Sequence, residues 1–167
     1  MNAREHHYHE YPPGLPGDLP LPESIAQVLH QEWQELPQWQ TPEIILARLI
    51  KRMNGDNGEM LFVATDKNGA LSGTASLIWR ELKTCRMANA DWWTGEIYTL
   101  PAARGQGLGS ALTQAVFAAA GERRLPALNL YTPDKQAMYA RMGWQAIYDD
   151  VINDELVTVM QRTVSEA

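Results

Sequence analysis

The chain has 167 residues, 45% apolar and 20% charged, with a formal net charge of −6. That is ordinary for one soluble globular domain with a substantial core, so a single domain over residues 1–167 is expected. No apolar run nears the roughly 18 residues of a membrane span, and the acidic balance argues against a nucleic-acid partner, which requires a basic face. The single cysteine, Cys85, excludes an internal disulfide and a multi-cysteine metal site and fits a reducing compartment.

The first residues, MNAREHHYHEYPPG, lack an apolar h-region, so no secretory signal is expected and a cytoplasmic location is. His6, His7 and His9 invite a metal reading. In a strand, however, His7 and His9 share a face while His6 points away, and no carboxylate or cysteine at ligand spacing completes a set. HHYHEY is expected to be an edge strand, followed by a segment that Pro12, Pro13, Pro16, Pro20 and Pro22 keep irregular over the first 22 residues.

Pro22-Glu23-Ser24 opens a predicted helix whose apolar residues fall at 25, 28, 29 and 33. Thr41-Pro42-Glu43 is a second helix start, with Thr41 as N-cap, Pro at the first position and an acid in the first turn. That helix runs to Asn54-Gly55. MLFVAT and ALSGTASLIW, joined by Asp66-Lys67-Asn68-Gly69, read as a hairpin. A strand is expected from Trp92 to Leu100, then a helix with Leu108, Leu112, Val116 and Ala119 on one face, ending near Gly121. ALNLYT reads as a strand, DKQAMYARMG as a short helix stopped by Gly143, and QAIYDD and ELVTVMQRT as two closing strands. The order is that of a mixed α/β protein with a long antiparallel meander.

RGQGLGSAL, Arg104 to Leu112, places three glycines at the entrance of the third long helix. Unpartnered N–H groups and the peptide dipoles make a helix N-terminus attractive to anions, and glycine lets backbone approach phosphate oxygens closely. A P-loop lysine is missing, and the spacing 105, 107, 109 is one residue short of a dinucleotide fingerprint. The pattern Arg104-x-x-Gly107-x-Gly109 resembles instead the acetyl-CoA pyrophosphate loop of the GNAT superfamily of N-acetyltransferases. Ile97-Tyr98-Thr99-Leu100-Pro101-Ala102-Ala103-Arg104 is similar to that family's bulged central strand and its P-x-x-R approach to the loop. Leu128 to Thr132 resembles the next strand, and Tyr139-Ala140-Arg141-Met142-Gly143-Trp144 the Y-x-x-x-G-[FW] signature. The resemblance covers about residues 60 to 162.

The resemblance implies a GNAT-like fold of the α+β type, with a mostly antiparallel sheet of six or seven strands, a splayed central pair and about four helices. It implies acetyl-CoA as cosubstrate, no metal, and transfer of acetyl to a primary amine of a small molecule by direct attack in a ternary complex. Its pyrophosphate would lie on the backbone of Gly105, Gln106, Gly107, Leu108, Gly109 and Ser110, beside Arg104. Its pantetheine arm would pair with Ile97, Tyr98 and Thr99, and Thr132 stands where many relatives carry an asparagine. Tyr139 is implied as proton donor to the CoA thiolate. Many relatives carry a base eleven residues before the loop arginine; here that residue is Trp93. Glu96 is a candidate base three residues later, facing the opposite side unless a bulge intervenes, and Asp91, Asp149 and Asp150 are others. Trp33, Trp39, Trp92, Trp93 and Tyr148 are candidates for an aromatic acceptor pocket, which with the acidic charge leans toward a cationic amine. A protein amino group as acceptor, a non-catalytic acyl-CoA-binding regulatory module, and an ATP or NAD site remain alternatives, as do monomer and homodimer.

Overall fold

The computed structural model describes residues 7–10, 20–83 and 86–164. His6, Tyr11, Pro12, Pro13, Pro16 and Cys85 lie outside them. Among the described residues there are seven strands and four α-helices: β1 (His7–Glu10), α1 (Pro22–Trp33), α2 (Pro42–Met53), β2 (Met60–Thr65), β3 (Leu71–Trp79), β4 (Trp92–Thr99), α3 (Leu108–Glu122), β5 (Ala127–Thr132), α4 (Gln136–Arg141), β6 (Gln145–Ile152) and β7 (Glu155–Thr163). The strands form one sheet in the order β1-β2-β3-β4-β5-β7-β6. The pairs β1/β2, β2/β3, β5/β7 and β6/β7 are antiparallel, and β4 pairs with β5 in parallel at Trp93↔Asn129. This is the mixed, mostly antiparallel α/β architecture expected from the sequence.

The chain forms two compact units, one built from residues up to Leu77 together with Glu96–Val116, the other from Ile78–Gly95 together with residues from Phe117 on. In the first, α1 and α2 bury one face each through residues four apart. Ile25 and Leu29 meet Ile45 and Leu49, and together they cover Leu61 and Val63 of β2. Each such side chain contributes about 1.5–3 kcal/mol when fully buried. The run MLFVAT does not alternate because every residue of β2 is buried. Its turn into β3 is held by Asp66, whose Oδ1 accepts the N–H groups of Asn68 and Ala70 at 2.8 and 3.0 Å, with Gly69 at φ +83°. The start of α2 lies where Thr41-Pro42 places it, but the Thr41 hydroxyl makes no cap. The Thr41 carbonyl instead accepts the N–H groups of Ile44 and Ile45.

In the second unit, Ile78, Trp93 and Val159 form a core with Leu82, Met87, Tyr131 and Tyr148 around it. Asn129 is fully buried in the apolar strand β5. Its Nδ2 donates to the carbonyls of Asn89 and Trp92, both at 2.8 Å, and its Oδ1 accepts from Gln161 Nε2 at 3.0 Å. A buried amide is tolerated only when satisfied in this way, and the network fixes the approach to β4.

Candidate active site

β4 ends at Thr99, and a short 3₁₀ turn, Pro101–Ala103, carries the chain to Arg104. The turn is anchored by Ala103, which is buried, and by the Leu100 N–H donating to the Ser72 carbonyl at 2.9 Å. Gly105 and Gly107 then adopt φ of +79° and +76°, the left-handed region in which a side chain is strained. Nothing lies within 4 Å of where a Cβ would stand at either glycine. They are therefore required by backbone conformation, and the backbone they expose is open. α3 begins at Leu108 with that residue and Leu112 buried beneath it. Gly109 lies inside the first turn, where an added Cβ would meet Thr99 Oγ1 at 3.7 Å, an ordinary contact. The result is a strand, an open left-handed glycine turn and a helix N-terminus in succession, which is the physical requirement for an anion cradle.

Arg104 folds back on β4. Its Nε donates to the Thr99 carbonyl at 3.0 Å, and its guanidinium carbon lies 5.7 Å from the centre of the Tyr98 ring. The Tyr98 hydroxyl lies in the field of the Glu32 and Arg104 side chains. Burial first, and then the Glu32 carboxylate, raise its pKa above the ordinary 10.0, with Arg104 acting in the opposite direction. Trp33 meets the Tyr98 ring edge-on at 5.7 Å and Trp39 at 4.7 Å, and Arg48 covers the Trp39 ring at 4.4 Å.

Glu96 takes a left-handed backbone within β4, at φ +54°. Its carboxylate is 5% exposed, accepts a hydrogen bond from Ser76 Oγ at 2.8 Å and lies 3.0 Å from Nε of Arg52, which is 6% exposed. The Arg52 contact has the angle of an ion pair rather than of a hydrogen bond. Thr74 Oγ1 donates to the Glu96 carbonyl at 2.9 Å, so two β3 hydroxyls hold this residue. One strand away, Gly73 brings β3 so close that an added Cβ would stand 2.7 Å from the Tyr98 carbonyl oxygen.

In the second unit, Tyr139 is buried on α4, with its ring 6.0 Å from that of Trp144 in a near-edge contact. Gly143, at φ +99°, turns the chain between them. Thr132 is buried at the end of β5, and its Oγ1 accepts the Lys135 N–H at 3.0 Å, so its hydroxyl shapes the approach to α4. Trp93, eleven residues before Arg104, is fully buried and donates from Nε1 to the Ala90 carbonyl at 2.7 Å.

A family model for the GNAT acetyltransferase domain matches residues 57–146, which include β4, the glycine loop and Tyr139-x-x-x-Gly143-Trp144. The chain belongs to the GNAT acetyltransferase family. It is thus an acyltransferase enzyme. Solved structures share the fold. A GNAT-family acetyltransferase from Staphylococcus aureus Mu50 superposes with a TM-score of 0.65 at 15% identity, covering 96% of this chain and 99% of that one. A phosphinothricin acetyltransferase from Sinorhizobium meliloti in complex with AcCoA gives 0.71 at 20% identity, with 98% and 90% covered. An aminoglycoside 6'-N-acetyltransferase complexed with coenzyme A gives 0.70 at 14% identity, with 96% and 98% covered. No curated protein matches the sequence.

Among the remaining candidates in this GNAT domain, Trp33 and Trp39 pack with Tyr98 in the cluster of the first unit, whereas Trp93 and Tyr148 belong to the hydrophobic cluster around Ile78. Asp91 pairs with Arg80 at 3.0 Å in a largely exposed ion pair, Asp149 accepts from Thr158 Oγ1 at 2.9 Å, and Asp150 accepts the Val151 N–H at 2.8 Å and lies 3.8 Å from Arg86. Spacing gives no sign of Arg52 or Ser76, because each meets Glu96 far along the chain. It also gives none of Asn129, whose one signal is an amide inside an apolar strand. Among the described residues no group of three or more His, Cys, Asp or Glu side chains is placed to hold a metal, and no helix is long and apolar enough to cross a membrane.

Proposed function

We propose that the enzyme transfers the acetyl group of acetyl-CoA to a primary amine of a small molecule by direct attack within a ternary complex. The observation that carries the reading is the open, left-handed backbone at Gly105 and Gly107 leading into α3 straight from β4. Amides of Gly105 to Ser110 receive the pyrophosphate, with Arg104 at the entrance to the loop. The backbone of Ile97, Tyr98 and Thr99 takes the pantetheine arm, and an amide there polarises the thioester carbonyl as negative charge develops on its oxygen. Thr132 contributes to the cofactor side. The neutral amine nitrogen attacks the carbonyl carbon, the C–N bond forms, the C–S bond breaks, and the Tyr139 hydroxyl protonates the departing thiolate.

The amine must first lose a proton. Glu96 is the strand carboxylate nearest to the family's base position, but Arg52 and Ser76 both engage its Oε1. That engagement supports release of the proton to water and a positioning role for Glu96, which holds the left-handed backbone that presents Ile97 and Tyr98. The names of the CoA-bound neighbours, which specify an aminoglycoside and phosphinothricin, support a small acceptor over a protein.

Calorimetric titration with acetyl-CoA, with NAD and ATP as controls, tests the first half; a panel of amines followed by thiol release tests the second. Selective acetyl-CoA binding with amine-dependent thiol release is expected. Acetyl-CoA binding with no turnover on any amine would favour a regulatory module, and absence of acetyl-CoA binding would overturn the proposal.

A further inference from the structure

Among the described residues of the second unit, two buried side chains carry a polar atom that no group of the chain partners: Trp144 at Nε1 and Thr94 at Oγ1, each residue 3% exposed. The Trp144 ring is accounted for by its packing, since Phe117 and Tyr139 meet it near edge-on at 6.4 and 6.0 Å between centres. Thr94 has no such reason. Valine would fill the same space without the penalty of a desolvated hydroxyl. The sheet register places that hydroxyl. β4 meets β5 at Trp93↔Asn129, so one residue on in each strand Thr94 stands level with Leu130, which pairs with Met160, which in turn pairs with Ala146. Trp93 packs with Tyr131 and Val159 on one face of the sheet. By alternation Thr94, Leu130 and Met160 project from the other, because the left-handed Glu96 comes only two positions after Thr94. α4 covers that second face. Its Gln136 Nε2 donates to Thr158 Oγ1 at 3.1 Å, at the level of the Thr132↔Thr158 pair. The helix then runs back toward Trp144, one residue before β6 opens at Gln145↔Gln161, the level of Asn129. Tyr139, buried and part-way between, falls at the level of the Leu130 row, on the face from which Thr94 projects.

The geometry points to Thr94 as a second protic group at the leaving sulfur: its hydroxyl donates a hydrogen bond to the sulfur of CoA as the C–S bond breaks. The inference rests on the acetyl-transfer reading, with Tyr139 as proton donor, and adds a catalytic residue to it. The electron pair of the C–S bond goes to sulfur, the Tyr139 proton follows it, and Thr94 keeps its own proton while sharing the charge. A thioester sulfur is a poor acceptor and a thiolate a strong one. The hydrogen bond therefore strengthens as the reaction proceeds, and it lowers the barrier more than it tightens acetyl-CoA binding. A hydroxyl held ready without a partner in the resting chain needs no rearrangement at that moment.

The test measures thiol release from acetyl-CoA with the best amine of the panel above, for the wild type, Thr94→Val, Thr94→Ser, Thr94→Ala, Tyr139→Phe and the double variant Thr94→Val with Tyr139→Phe. Thermal midpoints and calorimetric acetyl-CoA affinities are taken on the same preparations. Thr94→Val is expected to lower kcat about tenfold or more, with a far smaller change in acetyl-CoA affinity and a Tm no lower than that of the wild type. Thr94→Ser should keep most of kcat and Thr94→Ala should lose it. Serine and alanine here differ by the hydroxyl alone, so this pair decides the matter even if valine packs badly. The double variant should lose less than the product of the two single losses, because both groups act on one sulfur. Wild-type kcat in Thr94→Val and Thr94→Ala overturns the inference and leaves acetyl transfer standing. So do equal losses in Thr94→Ser and Thr94→Ala, which assign the effect to packing, and so do losses that multiply in the double variant. A wild type without amine-dependent thiol release overturns both.

Discussion

Replacing Glu96 by Gln separates two roles that one carboxylate could play. The substitution keeps the side-chain shape and the contact with Ser76 but removes the charge facing Arg52. Both side chains are almost wholly buried, at 5% and 6% exposure, so solvent cannot replace the lost partner. Leaving one member of a buried pair uncompensated costs about 3–5 kcal/mol, a large part of the roughly 5–15 kcal/mol that holds a domain folded. For a chain of this size each kcal/mol is worth about 2–4 °C of Tm, so the midpoint should fall by about 6–20 °C. Arg52→Met alone should cost a similar amount by stranding the carboxylate, and the double variant Arg52→Met with Glu96→Gln should recover much of the loss, since no buried charge remains. Urea and thermal unfolding of the four proteins give the coupling directly. Acetyl transfer measured well below each midpoint, per folded molecule, should fall far less than stability does. An unchanged midpoint for Glu96→Gln combined with a loss of about 10²-fold or more in kcat would refute the reasoning and make Glu96 the general base.

Tyr139→Phe keeps the ring against Trp144 and removes only the hydroxyl, so stopped-flow or steady-state assays should show kcat down about 10²-fold or more with acetyl-CoA affinity and Tm nearly unchanged; equal turnover in both proteins would remove Tyr139 from the chemistry. Gly73→Ala places a methyl group 2.7 Å from a backbone oxygen that cannot rotate away, so β4 must shift at Tyr98. A cost of about 1–3 kcal/mol is expected from denaturant melts, together with weaker acetyl-CoA binding in calorimetry. Gly107→Ala meets no neighbour but must hold φ near +76°, so a smaller loss of about 1–2 kcal/mol is expected. The raised pKa of Tyr98 means that the folded protein holds the phenolic proton more tightly than the unfolded chain, first through burial and then through Glu32. That contribution is fully present below the ordinary value of 10.0 and is lost as pH rises above it. Unfolding free energies measured on either side of that pH should therefore fall less steeply in Tyr98→Phe than in the wild type.

What was legible in the sequence followed from local rules. Asp66-Lys67-Asn68-Gly69 specifies its hairpin because one carboxylate can satisfy two turn amides and glycine supplies the positive φ. Ile25, Leu29, Ile45 and Leu49 announce their helix faces by spacing alone. The glycine loop and Y-x-x-x-G-W were readable because backbone conformation and a short signature dictate residue type at fixed positions. The placement of β7 between β5 and β6 was not, since the two closing strands read alike and alternation is silent about which of them pairs with β5.

The candidate site divides along the same line. Glu96 could be read as a carboxylate on the central strand, but not as a partner of Arg52 and Ser76. Strand alternation assumes an unbroken pleat, and a left-handed residue breaks it at that point. A non-glycine residue held at φ +54° carries a conformational cost that persists only where the surroundings impose it. Here Arg52 from α2 and two hydroxyls from β3 do so. The buried pair thus has a reason to exist apart from stability, which an apolar substitute would supply as well: it fixes the strand geometry two residues before Tyr98. The strand carboxylate takes its surroundings from residues that sequence spacing cannot connect to it.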